Sequence, residues 1–361
     1  MSILDADKMA SAPLRLSRQR VVIITRQLTT MVQAGVGLVE SWEAVSRSCQ
    51  DFSGRTLANR IVRALQRGER LSLALSRQPL IFSPLYVAVM QVAEETGQLA
   101  TCLGRLADWQ ERDMLSWRRF SSAMVYPACV VALAGALTLA LFCGVLPGLL
   151  ESLEKGPGLP WITRLLMSLT WAARSPAVWT IALAFAGEAF LTLRRIRQHP
   201  DRWARLYGLL RRLPALGTVL QNMALARFCA GLRTTLAVGT PLMSALKLAG
   251  QAADDPVVNQ ATQTLIQLIR EGEPLHEAIA AKPEVFPRLM VHLTAVAEES
   301  GGLVQLLDYL ERYYEREAEE RVAMMQTLVE PFLLISVASL VAAVVLAIFL
   351  PLYTSLATLA S

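Results

Sequence analysis

Apolar residues in the first hundred positions recur at three- and four-residue spacing, which is the period of helices burying one face. Leu28, Met31 and Val32 form one stripe, Gly35 and Gly37 interrupt it, and Leu38, Trp42 and Val45 start the next, so a helical hairpin is predicted. Further helices are predicted over about 55–66, 71–77 and 84–95 and from Leu99 onward, with breaks at Gly68, Pro79 and Gly97. No stretch alternates as a half-buried strand does, and β-branched runs occur only inside long apolar segments. The expected fold is all-α, an antiparallel helical bundle.

The apolar pattern changes character after this bundle. No charge lies between Arg119 and Glu151, nor between Glu330 and Ser361. A helix crosses a hydrocarbon core of about 30 Å with about 20 apolar residues, and both runs exceed that length. A weaker run from Pro176 to Leu193 contains Glu188 and ends at Arg194, Arg195 and Arg197, giving three predicted spans. Glu188 is close enough to those arginines to reach the interface, with an intramembrane contact as the other reading. Asp5, Asp7 and Lys8 precede any apolar core, which argues against a secretory signal. Arginines flank the spans at 118–119, at 194–205 and at 312–321, whereas the segment after Pro351 has none, so the expected N-terminus is cytoplasmic and the C-terminus periplasmic. Between Pro160 and Trp171, spaced apolar residues predict a helix lying on the outer interface.

The chain also repeats itself. Gly35 aligns with Gly239, and the same shift of 204 residues carries 25–150 onto 229–354 without a gap. Gly68, Glu69 and Leu71 fall on Gly272, Glu273 and Leu275, and Phe82 falls on Phe286. Val92-Ala93-Glu94-Glu95 falls on Val296-Ala297-Glu298-Glu299, Gly97 on Gly301, Pro127 on Pro331, and Pro147 on Pro351. The predicted organisation is a short lead (1–17), a first bundle (18–119), a span (120–150), a periplasmic loop (151–175), a second span (176–193), a second bundle (194–330), a third span (331–353) and a tail (354–361). The middle span returns the chain, so both bundles face the cytoplasm.

Composition agrees with a membrane protein: 53% of residues are hydrophobic and 18% charged, and the mean hydropathy is +0.39. Arginines flanking membrane helices account for the net charge of +5 without nucleic acid. Nucleotide-binding, nucleophile-elbow and zinc-protease motifs are missing. His199, His276 and His292 are scattered, and the five cysteines show no CxxC spacing. No catalytic residue, metal site or cofactor is therefore predicted.

The acid pairs Glu94–Glu95 and Glu298–Glu299 end helices before Gly97 and Gly301, where carboxylates oppose the helix dipole at a cost of about 0.3–1 kcal/mol each. Two explanations stand open: pairing with arginines of the same module (Arg105 or Arg112; Arg312 or Arg316), or contact with a partner or cation. Gly35, Gly68, Gly239 and Gly272 read as turns, and Pro127 and Pro331 as bends where bundle meets membrane. The acidic approach to the last span, Glu311, Glu315, Glu317, Glu319 and Glu320, reads as a solvated stalk.

These residues resemble the inner-membrane platform family of type II secretion systems and type IV pili, secretion protein F. The duplicated Leu28-x6-Gly35 and Leu232-x6-Gly239 hairpins, the paired Gly-Glu-x-Leu motifs and the Ala-Glu-Glu-(Thr/Ser)-Gly-x-Leu motifs carry the likeness over nearly the whole chain. The resemblance implies a non-enzymatic scaffold with six-helix bundles, set in membrane lipid. It would touch a hexameric cytoplasmic assembly ATPase, pilin or pseudopilin subunits and other inner-membrane assembly components, and would self-associate. The short lead looks more like the branch serving type IVb or conjugative thin pili. A membrane transporter or protein-conducting component is the alternative, opposed by spans whose only charged residue is Glu188.

Overall fold

A computed structural model describes residues 14, 16–140, 168, 175, 180, 187–188 and 214–359. The expected loop at 151–175 and span at 176–193 fall almost wholly outside the described residues, as does most of the lead. Every described regular element is a helix. The first module contains α1 (Arg18–Gln33), α2 (Leu38–Ser48), α3 (Phe52–Gln66), α4 (Leu71–Ser76), α5 (Pro84–Thr96) and α6 (Leu99–Ala140). The second contains α7 (Pro214–Ala237), α8 (Leu242–Ala252), α9 (Pro256–Arg270), α10 (Leu275–Ala280), α11 (Arg288–Ser300) and α12 (Leu303–Leu359). From α2 to α5 and from α8 to α11, every helix begins and ends 204 residues after its counterpart.

Local chemistry fixes several of these boundaries. Asp51 accepts the Gly54 amide at 2.8 Å, and its counterpart Asp255 accepts the Val257 and Val258 amides at 2.7 and 3.2 Å. Both are N-caps that satisfy first-turn donors. Gly35, Gly68, Gly239 and Gly272 turn the chain at φ of 82°, 79°, 86° and 102°.

By contact, the described residues group into one unit within 1–119 and 207–319 and another within 120–206 and 320–361. Both modules thus share the first unit, each around its own core. Leu28, Trp42, Ile61, Leu75, Tyr86 and Leu106 are central to one, and Phe228, Leu246, Leu265, Ile279, Phe286 and Leu310 to the other. The cores compensate position by position. Phe82 packs on Tyr86 at 4.8 Å between ring centroids; the second module has Met290 in place of Tyr86, and Phe286 packs instead on Phe228, which replaces Ile24, at 5.5 Å. Moving the large ring to another helix keeps the volume, which core packing demands. Tyr86, fully buried beside Thr25, has its hydroxyl pushed up to about 12 by burial.

In the other unit, α6 and α12 are long and apolar enough to cross a bilayer. Leu133, Leu137, Leu328, Phe332, Leu334 and Ile335 are exposed there; such a surface suits lipid and not water. The side-chain amide of Gln326 donates to the Ala123 carbonyl, tying the two helices together. Neither Pro127 nor Pro331 interrupts its helix, and α12 passes through Pro351 to Leu359 where a tail was expected from 354.

Candidate functional site

Helices α4 and α10 have only six residues each, so their first-turn amides make up much of their exposed polarity. The residue before each, Arg70 or Pro274, supplies no side-chain cap. The acceptor comes from 23 residues downstream. Glu94, on α5, accepts the Leu71 amide, the Ser72 amide at 3.2 Å and the Ser72 hydroxyl at 2.5 Å. Glu298, on α11, accepts the Leu275 amide at 2.6 Å and the His276 amide at 2.9 Å, and lies 2.6 Å from His276 Nδ1. A carboxylate that opposes the dipole of its own helix is thereby placed on the favourable N-terminus of another. Burial pulls the Glu298 carboxyl upward, but the hydrogen bonds from His276 and Leu275 outweigh it and hold it below the usual carboxylate range.

This corrects one of the two readings of the acid pairs: the partners of Glu94 and Glu298 are amides and side chains of the short helix, and none among the described residues is an arginine. Arg105 donates to the Ala237 carbonyl at the end of α7, Arg112 pairs with Asp308 and Glu311, and Arg312 pairs with Asp308. Of the acid pairs, Glu95 and Glu299 face solvent, Glu95 accepting from Gln91 at 3.1 Å. Gly97 and Gly301, both at φ 71°, end α5 and α11 in the left-handed conformation that relieves the last carbonyls. Among the described residues no cluster of His, Cys, Asp and Glu could hold a metal ion.

A second arrangement, absent from the sequence expectations, joins the modules. Arg112 of α6 lies 3.4 Å from Asp308 and 3.8 Å from Glu311 of α12. Arg233 of α7 completes the square, at 2.8 Å from Glu311 and 3.6 Å from Asp308. Glu311 is 1% exposed, and burial pushes its carboxyl up, with Arg233 only partly offsetting the effect. It is not part of a solvated stalk. A carboxylate so buried is tolerable because two guanidinium groups meet it. Farther along the same two helices, the Ser116 hydroxyl donates to Glu315 at 2.7 Å, and Arg119 pairs with Glu319 at 3.0 Å. On another side, Arg227 lies 3.0 Å from Asp113, and Arg18 lies 3.8 Å from both Asp113 and Asp254.

Close packing accompanies these charges, with α5 seated against α7 and α8. Gly231 makes the approach possible, since a Cβ there would meet Ala252 Cβ at 3.0 Å and Leu85 Cδ1 at 3.2 Å. Arg105, at the carbonyl end of α7, complements the negative pole of that helix. Cys49, Cys102 and Cys229 are buried, and burial pushes each thiol up, away from the reactive thiolate form. The ion pairs and close packing of this seam position the helices of the two modules against one another.

Two modules joined by ion pairs, in a chain with two helices long and apolar enough to cross a bilayer, suit a membrane-associated structural protein. The family model described as type II secretion system (T2SS), protein F, matches residues 24–147 and again 228–351, the second match displaced by the same 204 residues. The chain belongs to this family of inner-membrane platform proteins. It is 31% identical over 340 residues to a type IV pilus assembly protein PilC of Thermus thermophilus, covering 94% of this chain and 83% of that one. It is 32% identical to a type 4 fimbrial assembly protein PilC of Pseudomonas putida, covering 91% and 82%. With a type II secretion system protein F of Aeromonas hydrophila it shares 29%, covering 93% and 86%.

Proposed function

We propose that this chain is the inner-membrane platform on which a type IV pilus or type II pseudopilus is assembled, coupling a cytoplasmic hexameric ATPase to pilin subunits without catalysing a reaction itself. The observation that carries the reading is the double family match, which spans both modules and both apolar helices. The names of the relatives, pilus assembly and type II secretion proteins, point the same way. In this reading the modules are homologous cytoplasmic bundles within 18–119 and 194–330. Three spans at 120–150, 176–193 and 331–353 leave the N-terminus inside and the C-terminus in the periplasm. Other assembly components and a second copy of the chain surround it in the lipid. Glu95 and Glu299, solvent-facing neighbours of Glu94 and Glu298, are the acids this reading assigns to a partner contact.

Affinity capture of the tagged full-length protein from gently solubilised membranes tests the reading. Recovery of an assembly ATPase together with a pilin is the expected result. Capture of neither, under conditions that keep other membrane complexes intact, contradicts it and makes conduction by the purified protein in liposomes the next measurement.

A further inference from the structure

The first module receives the second on one face of α5 and α6. On that face Leu85 and Val89 are 1% and 0% exposed, Leu85 reaches toward Gly231, and Arg105 shares a cleft with Thr234 and Ala237. One repeat later the corresponding residues are Leu289, Leu293 and Val296 on α11 and Tyr309 and Tyr313 on α12. Here the face is more open: Leu289 and Leu293 are half-buried where Leu85 and Val89 are buried, Val296 is 63% exposed, Tyr309 55% and Tyr313 37%. The two tyrosines stack at 6.3 Å between ring centroids. An exposed patch of valine and stacked tyrosine has the composition of an interface centre.

We infer that this face holds a second copy of the chain, which docks with the α1–α2 side of its own first module. The argument is continuity with the contact inside the chain. The second module docks through α7 and α8, and the first module carries the corresponding side on α1 and α2, where Ile23 is 40% exposed and Thr30 is exposed. The chain therefore carries, unused, both halves of an interface whose other version it already makes internally. Neither the ion pairs nor the closest approach is reproduced: Ile23 stands where Arg227 does, Ala107 where Glu311 does, Thr29 where Arg233 does, and Gln27 where Gly231 does, so the faces meet at a wider spacing. The contact between chains accordingly lacks those ion pairs and centres on Val296, Tyr309 and Tyr313, with Gln27 and Thr30 among the residues facing them. Joining unlike faces, it is heterologous, so it closes into a ring or continues as an open array. The inference rests on the platform reading and gives its self-association a surface.

Thr234 lines the internal cleft beside Arg105, so the equivalent pair between chains is Thr30 and Tyr309. In chains whose native cysteines are replaced, Thr30→Cys with one tag and Tyr309→Cys with another are co-expressed, and membranes are treated with a short bifunctional thiol reagent. The expected product is a cross-linked dimer carrying both tags, lost when Val296→Asp is added to the Tyr309→Cys chain. Cross-linking of Tyr309→Cys only to itself, or of neither pair, overturns the inference. If the dimer is missing while ATPase and pilin are still captured, the docking face is wrong and the platform reading stands. If the dimer forms without those partners, the reverse holds.

Discussion

The two modules share the device that holds each together and differ in the residues that join them. Glu94 and Glu298 make the same hook onto α4 and α10, 204 residues apart, with hydroxyl and imidazole interchangeable as the third donor. The seam repeats little beyond Arg112 and Glu315, whose counterparts are Arg316 and Glu111. Arg233 corresponds to Thr29, Arg227 to Ile23, Asp308 to Gly104 and Glu311 to Ala107. Arg26, which binds Glu111 at 2.6 Å and Asp108 at 2.7 Å inside the first module, corresponds to Ala230. The surface turns diverge too: Glu69 sits between Arg67 and Arg77, whereas its counterpart Glu273 is pushed up by a hydrogen bond with Glu277 and by neighbouring acids. What each module needs in order to hold its short helix is retained in both copies. What lets two bundles meet asymmetrically is placed in one copy and not the other.

The largest effect is expected in the seam. Glu311→Ala leaves Arg233 partly buried beside an empty site, and losing one member of a buried pair costs about 3–5 kcal/mol. The thermal midpoint of the detergent-solubilised protein should fall further for this variant than for any single change in the hooks. Next come Glu94→Ala and Glu298→Ala, each removing a distant cap at about 1–2 kcal/mol. The two losses should be alike, and Gln at either position should recover part of each by keeping an acceptor. A loss in one copy only would show that the hooks are not equivalent.

Acid separates hook from seam by sign. Glu298 sits below its unfolded value, so its contribution is full above the ordinary carboxylate range and is lost as pH falls through the depressed folded value. Glu311 sits above its unfolded value, so its ionisation costs stability as pH rises through the raised folded value, and acid relieves that cost. The protection factors of the Leu275 and His276 amides, taken relative to intrinsic exchange at each pH, should therefore fall at low pH, when their acceptor protonates, in the wild type and not in Glu298→Gln. The smallest effect belongs to Arg119→Ala, an exposed pair with Glu319, at about 0.2–1 kcal/mol or nothing measurable.

Helix order, turns and the duplicated plan were legible because they depend on residues near one another in sequence and because one copy checks the other. The hook was half legible. Its acids stood out as an unfavourable pair kept in both copies, and the motif that completes it, Gly-Glu-x-Leu, was also singled out, but nothing in spacing joins position 94 to position 71. A six-residue helix preceded by Arg70 or by Pro274 lacks a cap of its own, and that deficit was the available signal. The seam was not legible, since its partners lie up to 236 residues apart. One trace existed: Glu311 interrupts the apolar stripe of Leu307, Leu310 and Tyr314, all buried, where a solvated acid does not belong.

The claim that matters most is that the two bundles of one chain are locked side by side through unrepeated polar contacts, and Ser116 with Glu315 tests it most directly. In a chain free of native cysteines, Ser116→Cys and Glu315→Cys are introduced together, and native membranes are treated with a short bifunctional thiol reagent. The account predicts a monomer of altered mobility, formed at any expression level. Cross-links only between chains, or none in protein that still captures its partners, would contradict it.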